Sequence, residues 1–88
     1  MLDDREISSA KYSDIVDLYD RKEFESIIEK IKCLEEDKFE DPFLLNLLGA
    51  TYLKLNDNKN ARIYFSHAIA LEPNHKEAII NLGNLEYK

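Results

Sequence analysis

The side chains in this sequence that could do chemistry are few and scattered. His67 and His75 are the two residues suited to proton transfer near neutral pH. Neither belongs to a Cys/His or His/acid set at metal-ligand spacing, so both read as exposed surface histidines. Cys33 is the one cysteine, which rules out an intramolecular disulfide and fits a reducing compartment. No histidine adjoins it in sequence to activate a thiolate, so it reads as a small apolar helix residue. Ser8, Ser9, Ser13, Ser26 and Ser66 lack the Gly-x-Ser-x-Gly context of a nucleophile elbow. Gly49 and Gly83 both fall within helical patterns, which excludes a phosphate-cradling loop. Asp3-Asp4 and Glu35-Glu36-Asp37 lack the spacing of a calcium loop and read as solvated charge. The sequence therefore predicts no enzyme, no cofactor and no metal site.

Composition narrows the remaining classes. At 88 residues the chain has room for one domain, near the lower limit for a self-sufficient core. Its net charge of −6 is unevenly spread. Residues 1–41 hold 14 acids and 7 bases, whereas residues 42–88 hold 4 acids and 5 bases. No group of Lys or Arg is interleaved with aromatics, so nucleic acid is not an expected partner. No apolar run approaches the length of a membrane span and no signal-peptide pattern opens the chain. The expectation is a cytoplasmic protein without membrane contact.

Apolar spacing and capping residues give five helices and no strands. After an acidic segment at residues 1–7, Ser8 is an N-cap candidate, with Ile7 and Tyr12 placed as a hydrophobic staple. Tyr12, Ile15, Val16, Leu18 and Tyr19 then mark a helix to about Asp20, and Phe24, Ile27, Ile28, Ile31 and Leu34 mark a second. Asp41-Pro42 is an N-cap followed by a first-turn proline, a strong start for the third helix. Asn56-Asp57-Asn58 supplies a turn and the cap of the fourth. Asn74, with Glu77 three residues on, reads as a capping box for a fifth that runs to Lys88. The third and fourth helices should pack closely. Glycine inside a helix costs about 1 kcal/mol relative to alanine, so Gly49 needs a compensating close approach. Ala61 and Ala68 offer the small surface for it, and Tyr52 and Phe65 the bulk on either side.

The pattern repeats. Gly49 and Gly83 lie 34 residues apart, and Asn46-Leu47-Leu48-Gly49 returns in altered form as Asn81-Leu82-Gly83-Asn84. Leu48, Gly49, Tyr52, Ala61, Phe65, Ala68 and Pro73 match seven of eight signature positions of the tetratricopeptide repeat, with Leu45 in place of the tryptophan. The chain thus resembles that family, with one well-matched repeat at 42–75, a degenerate one at 8–41 and a partial third at 76–88. In the first, Ile15, Ile27, Ile31 and Leu34 stand where the central repeat has small or aromatic residues, which suits a terminal unit.

The resemblance implies antiparallel helix pairs stacked as a short right-handed α-solenoid, and a role in binding proteins. It also implies a concave groove lined by the first helix of each pair. Groove positions fall on Tyr12, Val16 and Tyr19, on Phe43, Asn46, Leu47, Ala50 and Leu53, and on Glu77, Ile80, Asn81, Asn84 and Tyr87. Asn81 and Asn84 could hold an extended peptide backbone, and Tyr12, Phe43 and Tyr87 could anchor a partner. The clamp by which co-chaperones of the family grip acidic tails is absent. Its positions carry Tyr12, Val16, Leu47, Glu77 and Asn81, without a cation.

The fifth helix offers a different surface. Ala78, Ile79, Leu82 and Leu85 form an apolar stripe that Ile80 widens. One side should pack on the preceding pair. The other, at Ile79, Leu82 and Leu85, is expected to be an imperfectly polar cap, a joint to further repeats, or a docking surface for a larger assembly or a second copy.

Overall fold

The computed structural model describes residues 12–33 and 41–86. Among these the protein is all-α, with no strand: α1 (Ser13–Asp20), α2 (Phe24–Lys32), α3 (Pro42–Lys54), α4 (Asn58–Leu71) and α5 (Lys76–Glu86). Ser8 and the segment at residues 1–7 lie outside the described residues. Tyr12 flanks α1 at its capping position and is not a member of the helix.

The local signals for α3 and α4 are realised atom by atom. Asp41 Oδ1 accepts from the Phe43 N–H at 2.9 Å, and Pro42 occupies the first turn, where its missing N–H is no loss. Asp57 Oδ1 accepts from the Asn60 N–H at 3.1 Å, and Oδ2 from the Asn60 amide at 2.7 Å. At α5 the helix starts one residue later than the Asn74–Glu77 capping box predicts. The His75 carbonyl accepts from the Ile79 N–H, so His75 rather than Asn74 holds the capping position.

The two helix–helix turns are alike. Lys22 and Asn56, 34 residues apart, both have φ of 63°. The Lys22 N–H donates to the Tyr19 carbonyl and the Glu23 N–H to Leu18, at 3.0 and 2.9 Å. The Asn56 and Asp57 N–H groups donate to Leu53 and Tyr52 at the same two distances. Each turn thus satisfies the last carbonyls of its first helix through one left-handed residue.

Three apolar clusters join the helices. Tyr12, Ile15, Ile27, Ile31, Leu44 and Leu48 unite α1, α2 and α3. Leu45, Ala68 and Ala78 join α3, α4 and α5, while Ala61, Phe65 and Leu85 join α4 to α5. Gly49 faces α4, as its type requires, beside Ala61 and Phe65 as expected, but not beside Ala68. A Cβ there would lie 2.6 Å from Phe65 Cδ1 and 3.2 Å from the Ala61 carbonyl oxygen. Ala68 packs instead on Leu45 and Ala78, because it lies one turn farther along α4.

Candidate interaction surface

The groove positions named from the sequence are in large part consumed by the fold. Tyr12 is 6% exposed, stacked on Phe43 with ring centres 6.0 Å apart, and its hydroxyl donates to Asp41 Oδ2 at 2.8 Å. It packs the first cluster and cannot anchor a partner without leaving it. Val16 and Tyr19 are half-buried on α1, and burial pushes the Tyr19 phenol above its usual range. Phe43 and Leu47 are half-buried against the first cluster, and Ala50 and Leu53 against the third. Asn46 is buried, and its Oδ1 accepts from Asn81 Nδ2 at 3.0 Å. The amide expected to hold a peptide backbone therefore holds α3 to α5. Glu77 is half-buried, Asn84 is exposed, and Tyr87 lies outside the described residues.

The fifth helix divides its apolar residues between two faces. At about 3.6 residues per turn, Ala78 and Leu85 share one side, while Ile79, Ile80 and Gly83 share the opposite one. Ala78 and Leu85 are 0% and 4% exposed. Leu85 is thus an internal packing residue against Ala61 and Phe65 and does not belong to the outer docking surface expected of it. Leu82 is half-buried between the two faces. Ile79 and Ile80 are 45% and 60% exposed. Between them lies Gly83, around which a Cβ would meet nothing within 4 Å. The sequence marks Gly83 only as a repeat position; its role as an open notch is visible by comparing it with Gly49 in the same register.

That register explains which face is open. Thirty-four residues earlier, Ala78 and Leu85 correspond to Leu44 and Thr51, and Ile79 and Gly83 to Leu45 and Gly49. Leu44 packs back on α1 and α2, and Thr51 is fully buried with its hydroxyl donating to the Leu47 carbonyl. Leu45 and Gly49 face forward, covered by Ala68, Ala78 and Phe65. In α5 the backward positions are buried, while among the described residues Ile79 stays 45% exposed and nothing lies within 4 Å of a Cβ on Gly83.

The titratable residues make no catalytic arrangement among the described residues. His67 is exposed. His75 departs from the expected exposed state: its side chain is 16% exposed, with Nδ1 3.0 Å from Glu72 Oε2 and Nε2 buried without a partner. It sits there because its backbone caps α5. Cys33 is exposed just past α2. A shallow depression lined by Tyr19, Asp20, Lys22, Phe24 and Lys54 brings together no acid–base pair at bonding distance. No group of His, Cys, Asp or Glu among the described residues could hold a metal ion, and no helix among them is long and apolar enough to cross a membrane.

Comparisons of the chain with protein-family models, curated proteins and solved structures find no match.

Proposed function

We propose that this chain is a non-catalytic protein-interaction module of the tetratricopeptide-repeat type, with the outer face of α5 as its docking surface. The observation that carries the reading is the pair Ile79 and Ile80, 45% and 60% exposed on either side of an empty glycine notch. Exposed isoleucines on adjoining positions offer apolar area that water disfavours at about 25 cal/mol per Å². The 34-residue spacing, the matched turns at Lys22 and Asn56, and the signature residues from Leu48 to Pro73 support the family assignment.

A second reading places a peptide along the concave side, where Asn84 stays exposed near Ile80. It is weaker, because Tyr12 and Asn46 are buried and Asn81 is engaged with Asn46.

The test uses immobilised full chain to capture partners, with Ile80→Lys and Asn84→Ala compared against wild type after circular dichroism shows that each is folded. Docking through α5 predicts that Ile80→Lys abolishes capture and Asn84→Ala leaves it intact. The opposite pattern favours the groove. Capture indifferent to both removes the case for either surface.

A further inference from the structure

We infer that the depression between the α1–α2 turn and the end of α3 binds a small aromatic monoanion. The ligand's ring would lie against Tyr19 and Phe24, and its charge toward Lys22 and Lys54. No residue of α5 lines this site, so the inference stands apart from the docking reading.

The depression is open and has a volume of about 410 Å³, at the small end of sites that hold low-molecular-weight ligands. Tyr19 and Phe24 form one wall, with ring centres 5.5 Å apart and planes at 68°. Packing against the first cluster holds both rings in place, and each stays half-buried. Two rings set edge to face leave a corner that a third ring can enter in the offset or edge-on geometry aromatics favour. Asp20, Lys22 and Lys54 are exposed around it. Among the described residues none of the three is in an ion pair.

The lining sets the charge of the ligand. Two ammonium groups and one carboxylate leave a single net positive charge, which a singly charged anion neutralises. A dianion would leave an excess of negative charge in a chain already at −6. Burial, and then the charge of Asp20, hold the Tyr19 phenol above its usual range, so its O–H remains a donor. A ring carrying a carboxylate therefore matches the site better than one carrying a phosphate.

The turn itself does not demand these side chains. The second turn has the same φ of 63° and the same two hydrogen-bond lengths. It nevertheless carries Leu53, Asn56 and Asn58 where the first has Tyr19, Lys22 and Phe24. Lys22 also takes a left-handed position that its residue type disfavours, at the edge of the depression. A disfavoured backbone position beside a binding depression is a common coincidence of local strain with function. The arrangement therefore belongs to this chain and not to the repeat.

The test is titration of isotope-labelled full chain with benzoate at neutral pH. It should give saturable amide shifts at residues 19–24 and 54–55, with a Kd in the millimolar range expected of a fragment of about nine heavy atoms. Acetate lacks the ring, benzamide lacks the charge, and phenyl phosphate is doubly charged. Each should bind about threefold or more weakly than benzoate. Lys22→Asn keeps the turn in the form that Asn56 shows, and it should weaken benzoate by about threefold, as should Lys54→Gln. Asp20→Asn should tighten benzoate and bring phenyl phosphate level with it. Ile80→Lys, the variant that tests the α5 surface, should leave the titration unchanged, so each reading can fail without the other. Absence of saturable shifts with benzoate would overturn the inference. So would acetate, benzamide or phenyl phosphate binding wild type as tightly as benzoate, or an affinity unaltered by both lysine substitutions.

Discussion

Gly49 and Phe65 touch so closely that a methyl group on the glycine would lie 2.6 Å from ring atom Cδ1. Glycine at this point of α3 is a packing requirement, and its helix-propensity penalty is offset by the approach of α4. Phe65 is 0% exposed within the third cluster and has no room to retreat. Gly49→Ala should therefore lose stability, because overpacking of about 1–3 kcal/mol exceeds the helix propensity of about 1 kcal/mol that alanine restores. Gly83→Ala should gain about 1 kcal/mol, since the propensity term acts alone where no neighbour lies within 4 Å. Urea unfolding midpoints of the two variants should move in opposite directions. Movement in the same direction would mean that the two glycines have equivalent surroundings.

The positions legible in the sequence are those where one residue type answers one local need. Asp41-Pro42 and Asp57 announce helix starts because an orphan N–H wants an acceptor. Gly49 announces a close approach because it has no other reason to sit mid-helix. The groove was less legible, since spacing gives a residue's face but not what the next helix does with it. Asn46 and Asn81 are each plausible surface amides alone, and only packing of α3 on α5 turns them toward each other. Leu85 illustrates the same limit. An apolar stripe spanning more than half of a helix does not say which edge is buried, and Ala61 and Phe65 decide it.

Lys22 occupies a left-handed backbone position that its residue type does not favour. Its φ of 63° equals that of Asn56, the corresponding residue of the next turn, and asparagine tolerates this region. The lysine is exposed, so its side chain contributes little that substitution would remove. Lys22→Asn should stabilise the chain by up to about 1 kcal/mol, the scale of the left-handed penalty for ordinary residues. Lys22→Gly should gain less, because glycine also widens the unfolded ensemble. Asn56→Lys should reverse the effect at the second turn. Thermal melts of the three variants test the ordering.

The bond from Asn81 Nδ2 to Asn46 Oδ1, 3.0 Å long and partly buried, is a tie between α3 and α5. Asn46→Ala and Asn81→Ala should each destabilise by about 0.5–1.5 kcal/mol, the usual net value of such a bond. The double variant should lose less than the sum of the two, giving a coupling of about 0.5–1 kcal/mol. Strict additivity would show that each amide acts through other neighbours. The cycle also bears on the groove reading, since an amide committed to Asn46 is not available to a peptide.

Acid should loosen the first helix pair through Asp14. Its Oδ2 lies 2.8 Å from Lys30 Nζ and links α1 to α2. The hydrogen bond from Lys30, followed by the opposing cost of desolvation and the attraction of its charge, leaves the Asp14 carboxyl below its ordinary value of 3.8. Asp57 is lowered as well, chiefly by the side-chain and backbone donors of Asn60. A lowered folded value means that the native state holds the ionised form more firmly than the unfolded chain does. The stabilisation is therefore complete above 3.8 and drains away as pH falls through the lowered folded values. Both partners of the Asp14–Lys30 pair are exposed, which keeps the effect small and sensitive to salt. Asp14→Asn should differ from wild type in urea midpoint by a constant amount from neutral pH down to the ordinary carboxylate range. The difference should then vanish in stronger acid, and Lys30→Met should remove the same pH-dependent share. A difference that survives full protonation would assign the contact between α1 and α2 to packing and not to charge.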